Sequence, residues 1–240
     1  MDYLASSNRF IITFAKKIFD LIARDLITDG ILPLKTSDTG KTALSWMEDY
    51  KLSHLPIVNN EEFLGLISEM DIYELNNFDE PIGNHTLTLK NPYVYEYQHI
   101  FDVLKLVNSL RLTLIPVLDE KNNYTGSITL QTLLSKTAEF LSLDNQGGVI
   151  VLEMSINDYS LTEIANIVES NNAKILNTVV MNHPESTLID VVLKLNTVEL
   201  NSVIQTFERY DYLVKVILDE EFDKDELKER YNSLMKYLNV

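Results

Sequence analysis

The chain contains no cysteine, which excludes a disulfide framework, a cysteine-based zinc site and a thiol nucleophile. Chain-breaking residues are few, with seven glycines and six prolines in 240 positions, and no low-complexity or linker-like run appears, so any domains should be closely joined. Bases are scarce too: 20 lysines and arginines stand against 36 acids, and the formal charge of -16 repels nucleic-acid backbones and anionic lipid. No nucleic-acid partner is expected. Long apolar runs are also missing, since the best candidate, residues 8–27, is broken by Lys16 and Lys17 and falls short of the roughly 20 apolar residues a spanning helix needs. Neither an integral membrane segment nor a signal peptide is expected, because no small-residue cleavage site follows. These absences fit a reducing, cytoplasmic setting.

What is present is a duplication. Tyr50–Asp71 and Leu110–Thr132 follow one pattern at an offset of 60, which places Leu52 on Leu112, Leu55 on Ile115, Pro56 on Pro116, Ile57 on Val117 and Val58 on Leu118. One extra hairpin residue then puts Gly65 on Gly126. The first copy reads as extended "ILPLKTSDT", a helix over 39–49, strands "LPIVNN" and "FLGLIS", and a helix over 69–75; the second reads as "YVYEYQHI", a helix over 101–109, strands "LIPVLD" and "YTGSITL", and a helix over 131–140.

After Gly147 and Gly148 the pattern changes to strand "VIVLEMS", a helix with Leu161, Ile164, Ala165 and Val168 on one face, strands "KILNTVVM" and "TLIDVVLKL", a helix with Val203, Ile204 and Phe207, and strand "YLVKVIL". That order, βαββαβ, is ferredoxin-like. Amphipathic helices are expected at both ends. One carries Phe10, Phe14, Ile18 and Ile22 and suits docking better than a lipid surface; the other carries Leu227, Tyr231, Leu234, Met235 and Leu238.

The segments "HLPIVN…FLGLISEMD" and "LIPVLD…YTGSITLQT" resemble paired CBS repeats, the Bateman module, over about residues 25–141. The resemblance implies two βαββα units around a pseudo-twofold axis, with two clefts that take adenosine-containing ligands. "SLTEIANIVESNNAKI" resembles part of an ACT domain, and the domain order resembles acetoin-utilisation-type CBS-ACT proteins. The expected α+β architecture is therefore an N-terminal helix over 1–24, CBS repeats over 25–80 and 81–144, an ACT-like domain over 147–219 and a C-terminal helix over 220–240.

Ser68 and Asp71 are the sharpest site candidates. A strand turning into a helix at Ser68 offers backbone N–H groups to an anion, and a carboxylate one turn along can accept from two ribose hydroxyls. The family resemblance gives Ser68 the phosphate side and Asp71 the ribose side; the same Ser-x-x-Asp spacing also makes a helix capping box. In the second copy Thr129 keeps the hydroxyl while Thr132 replaces the acid, so one functional cleft and one degenerate cleft are expected. By the same resemblance Leu55 and Ile57 line the purine wall, core packing being the alternative, and Pro33 or Leu34 stands on the opposite wall. His54 is read as a surface or packing residue.

Other chemistry finds little support. "SDTGKT" lacks the glycine a phosphate loop requires, since Lys35 stands in its place. His54, His85, His99 and His183 show no metal-ligand spacing, and no Gly-x-Ser-x-Gly elbow occurs, so no metal and no enzymatic activity are expected. The ACT-like part has no glycine between its first strand and helix, which disfavours an amino-acid ligand and favours dimerisation. The expected protein is a regulator that requires no cofactor, binds an adenine nucleotide (AMP, ADP or ATP) or another adenosine-containing ligand such as S-adenosylmethionine or a dinucleotide, and passes occupancy to a homodimer or a regulated partner. The alternative is a scaffold with vestigial clefts.

Overall fold

The computed structural model describes residues 21–75, 77–85 and 92–218, and the chain divides into two compact units between Lys136 and Thr137. The expected terminal helices, up to residue 20 and over 220–240, lie outside the described residues. No helix among the described residues is long and apolar enough to cross a membrane.

In the first unit the order is α1 (Gly40–Tyr50), β1 (His54–Asn59), β2 (Glu62–Ser68), α2 (Glu69–Tyr73), β3 (Val94–Tyr95), α3 (Ile100–Leu110), β4 (Leu114–Leu118), β5 (Tyr124–Thr129) and α4 (Leu130–Phe140), the last running across the division. The duplication extends to backbone detail. Thr39 caps α1 by accepting from Thr42 N at 3.1 Å, and His99, 60 positions on, caps α3 by accepting from Phe101 N at 3.3 Å. Both helices stop at a left-handed residue, Lys51 (φ 58°) and Arg111 (φ 53°), whose N–H returns to the last turn. Antiparallel pairing slips once in each copy, between Ile57 and Val58 and between Val117 and Leu118.

The first strand of each repeat is shorter than the sequence suggests. Leu34 makes only a parallel bridge to Ile57, bonding the Pro56 carbonyl and the Val58 amide and so bypassing the donor that proline lacks. "YVYEYQHI" pairs with β4 only through Val94 and Tyr95, because Gln98 Oε1 takes the Tyr95 amide at 2.6 Å and turns the chain. Segments also cross over: Leu21 O accepts from Ile100 N at 2.7 Å on the second repeat, while Asp38 O in the first repeat accepts from Ile82 N at 2.7 Å. The segment before each repeat thus docks on the other repeat, which ties the pair into one core containing Ala23, Leu26, Leu55, Ile72, Ile100, Ile115 and Leu133.

The second unit contains β6 (Val149–Ser155), α5 (Leu161–Ser170), β7 (Ile175–Asn182), β8 (Leu188–Leu195), α6 (Asn201–Arg209) and β9 (Leu213–Leu218). Its four strands run in the order β7-β8-β6-β9 with every pairing antiparallel, the ferredoxin-like arrangement. Alternation fixes the faces: Ile150, Leu152 and Met154 are buried in a core with Ile164, Val168, Val203 and Phe207, while Val149, Val151, Glu153 and Ser155 are half-buried on the opposite face.

Candidate ligand cleft

Ser68 ends β2 in an extended conformation and begins α2, and the two expected site residues there are joined directly. Asp71 N donates to Ser68 Oγ at 3.2 Å, while Ser68 N and Oγ donate to Asp71 Oδ2 at 2.8 and 2.6 Å. This is a complete capping box. Both bonds from Ser68 converge on Oδ2, so Oδ1 stands outside the box.

The expected row of anion-seeking amides is partly consumed within the fold. Glu69 N donates to Ser53 O at 3.0 Å and Asp71 N is held by Ser68, an arrangement repeated in the second copy by Leu130 N to Thr113 O at 2.9 Å and Thr132 N to Thr129 Oγ1 at 3.2 Å.

Ser68 and Asp71 open onto a cleft of about 140 Å³ that both repeats line: His54, Leu66, Ser68 and Asp71 from the first, Pro92, Leu110 and Leu112 from the second. His54 is a wall of this cleft as well as a packing residue. Thr113 N donates to its Nδ1 at 3.4 Å and Thr113 Oγ1 lies 3.0 Å away, so in the neutral ring the proton belongs on Nε2. The described lining contains one carboxylate and no lysine or arginine. It suits hydroxyls and an uncharged ring better than a chain of phosphates.

Leu34, Leu55 and Ile57 lie elsewhere. All three are 1% exposed or less and belong to the core, where each contributes about 1.5–3 kcal/mol of burial. Thr129 is buried in the corresponding corner of the second repeat, and that corner is filled by the chain itself. Thr28 Oγ1 donates to Thr132 Oγ1 at 2.8 Å, accepts from Thr129 N at 3.1 Å and lies 3.3 Å from Thr129 Oγ1. Ile27 presses on Gly126, where an added Cβ would sit 2.5 Å from its Cγ2. The residue that takes the acid's place, Thr132, is thus bonded to an internal plug.

Sequence reasoning missed Thr28, Pro92, Leu110 and Leu112 as parts of these two corners. The duplication does not single out Thr28, since another threonine, Thr88, stands at the matching position 60 residues on, and nothing local links residue 28 to residues 129 and 132.

The sequence profile of the CBS domain matches residues 23–76 and 86–139, so the chain carries a tandem pair of CBS domains. An inosine-5'-monophosphate dehydrogenase of Methanocaldococcus jannaschii is 28% identical over 122 residues, which is 50% of this chain and 23% of that enzyme's length. The chain therefore spans about a quarter of the length of that curated relative. Among solved structures, a CBS domain pair/ACT domain protein from Thermotoga maritima is 22% identical with a TM-score of 0.45, covering 50% of this chain and 99% of that one. CBSX2 of Arabidopsis thaliana, solved in complex with AMP, is 17% identical with a TM-score of 0.44, covering 50% and 98% of the two chains.

Proposed function

We propose that the CBS pair is a regulatory sensor that binds one adenosine-containing molecule, an adenine nucleotide such as AMP, ADP or ATP, in the cleft holding Ser68 and Asp71. The observation that carries this reading is Asp71 itself: one carboxylate oxygen completes the helix cap, and the other remains to accept ribose hydroxyls beside the His54 ring. Ser68 holds Asp71 in place, and Leu66, Leu110 and Leu112 give the apolar contacts a purine needs. Leu34, Leu55 and Ile57 belong to the core rather than to this cleft, and Thr129 belongs to the filled corner of the second repeat. Because the described lining has no lysine or arginine, affinity should not rise with phosphate number.

The cleft is below the roughly 300–1,000 Å³ of small-molecule sites, so ligand entry requires the two repeats to part. A ligand that binds only the parted form shifts the equilibrium toward it by its differential affinity. Such a shift is the output of a sensor. The unit over 147–219 would then act as an ACT-like dimerisation module, as in the acetoin-utilisation-type proteins, and would pass the change to a second copy or to a regulated partner in the cytoplasm. No catalytic step is assigned to the chain.

A panel of AMP, ADP, ATP and S-adenosylmethionine in thermal-shift assays tests this. The sensor reading expects stabilisation by at least one of them, near 2.7 kcal/mol at 100 times its dissociation constant, and weaker stabilisation of Asp71→Ala. No shift with any of them contradicts it. A second reading, a scaffold whose clefts are vestigial, draws on the plugged second corner and the small first cleft; it predicts no shift throughout and an assembly indifferent to nucleotide.

A further inference from the structure

The sheet face of the second unit that turns away from its two helices carries a group of polar side chains that the nucleotide reading leaves unused. Glu153 on β6 and Asp190 on β8 are direct cross-strand partners. His183 follows β7, whose Met181 pairs with Asp190. Lys215 is the extra residue of an irregularity in β9, where Val214 and Val216 pair with Leu152 and Val151, and the bulge aims it at both acids. Residues remote in sequence are thus gathered by the sheet register.

Geometry and charge make this group more than an ordinary ion pair. Two carboxylates side by side on neighbouring strands repel each other, and Asp190 has only 8% of its side chain exposed, so a cation is needed. Lys215 supplies one charge, with Nζ 3.0 Å from Glu153 Oε2 and 3.4 Å from each oxygen of Asp190. Lys215 sets one positive charge against the two carboxylates, and the His183 imidazole stands beside them. His183 Nε2 is buried and lies 3.1 Å from Asp190 Oδ2, yet it makes no aligned hydrogen bond to that oxygen.

Among the described residues, Glu153, His183 and Asp190 are the group whose nitrogen and oxygen donor atoms all lie within 4.8 Å of one another. A tetrahedral ion with bonds of about 2.0–2.2 Å holds its donors roughly 3.4 Å apart, a contraction within reach of side-chain rotation. We propose that Glu153, His183 and Asp190 form a binding site for one divalent transition-metal ion of the zinc type, in competition with the Lys215 ammonium. One imidazole and two carboxylates suit zinc or cobalt better than magnesium, which favours oxygen alone. A dication neutralises both acids, and Lys215, whose side chain is 41% exposed, swings into water when the ion enters. Water completes the coordination.

Cobalt titration of the full chain after chelator dialysis tests the site. The expected result is visible d–d absorption that saturates at one equivalent per chain and is bleached by zinc. Partners outside a metal's coordination shell are already worth about 10–100-fold in affinity, so His183→Ala and the isosteric Glu153→Gln should each lose at least that much. Lys215→Met should bind more tightly than wild type. Near-UV circular dichroism of each variant separates lost binding from lost folding, with Glu153→Gln deciding if His183→Ala misfolds. Absent absorption in the wild type, including absorption that appears only in Lys215→Met, overturns the proposal. Absorption unchanged in both ligand variants overturns it too, and unchanged or weaker binding in Lys215→Met overturns the competition.

Discussion

Asp71 commits Oδ2 to the helix cap, and the proposed reading gives Oδ1 to a ribose, so the two roles are separable. Glutamate is the usual partner in a capping box, so Asp71→Glu should keep the cap and hold stability close to wild type while moving the carboxylate out of register with a ribose. Asp71→Ala should lose the cap, about 1 kcal/mol, as well as the ligand contact. Denaturant unfolding with a nucleotide titration on both variants distinguishes the two effects, and unchanged affinity in Asp71→Glu and Asp71→Ala alike would leave capping as the whole role. At the matching position Thr132→Asp should not create a second site, because Thr28 and Ile27 fill that corner; binding stoichiometry should be the same in this variant as in the wild type. Gly147 is fixed by a different constraint. At φ 148° an added Cβ would lie 1.8 Å from the Leu195 carbonyl oxygen, so Gly147→Ala should destabilise the second unit by about 3 kcal/mol or more, read by chemical denaturation. The Ser68–Asp71 cap was legible in the sequence because it spans three residues; the Thr28 plug was not, because it spans 101 and 104.

At the scale of elements, the duplication foretold more than the strand and helix order. Caps, left-handed helix ends and strand irregularities recur at the same offset, since equivalent residues meet equivalent packing. Where the copies differ, the connections differ. The β1–β2 turn uses two left-handed residues, Asn60 and Glu61, whereas the β4–β5 loop is organised by Asp119, whose Oδ1 accepts from Lys121 N and Asn123 N at 2.8 Å each and whose Oδ2 accepts from Asn123 Nδ2 at 2.9 Å. The Asn123 side-chain and backbone bonds hold this carboxyl below its ordinary pKa. A lowered folded-state pKa stabilises the fold above the ordinary carboxyl range, and that stabilisation is lost as the pH falls through the lowered value. Asp119→Ala should therefore be less stable than wild type at neutral pH, and the gap should close on acidification; a constant gap in denaturation across pH would contradict this. Strand lengths were the least legible feature. "YVYEYQHI" alternates as a strand does, but the rings of Tyr93, Tyr95 and Tyr97 pack on one another, and Gln98 diverts the chain after one short pairing.

For the whole molecule, the two hydrophobic cores share no residue among those described, so each unit has its own reason to fold. The order of elements in both was readable from periodicity. The gathering of Glu153, His183, Asp190 and Lys215 was not, because it depends on strand register across four segments. Calorimetry should resolve two transitions, and an adenosine ligand should raise only the one that belongs to the CBS pair; a single transition raised as a whole would contradict independent units. The central claim is that one cleft of the pair recognises adenosine through Asp71 while its counterpart is closed. Isothermal titration of AMP and ATP into the wild type and Asp71→Ala tests it most directly. The account predicts one equivalent per chain, AMP at least as tight as ATP, and binding weakened or abolished in the variant. Two equivalents per chain, no heat at ligand concentrations well above a millimolar dissociation constant, or undiminished binding by Asp71→Ala would contradict it.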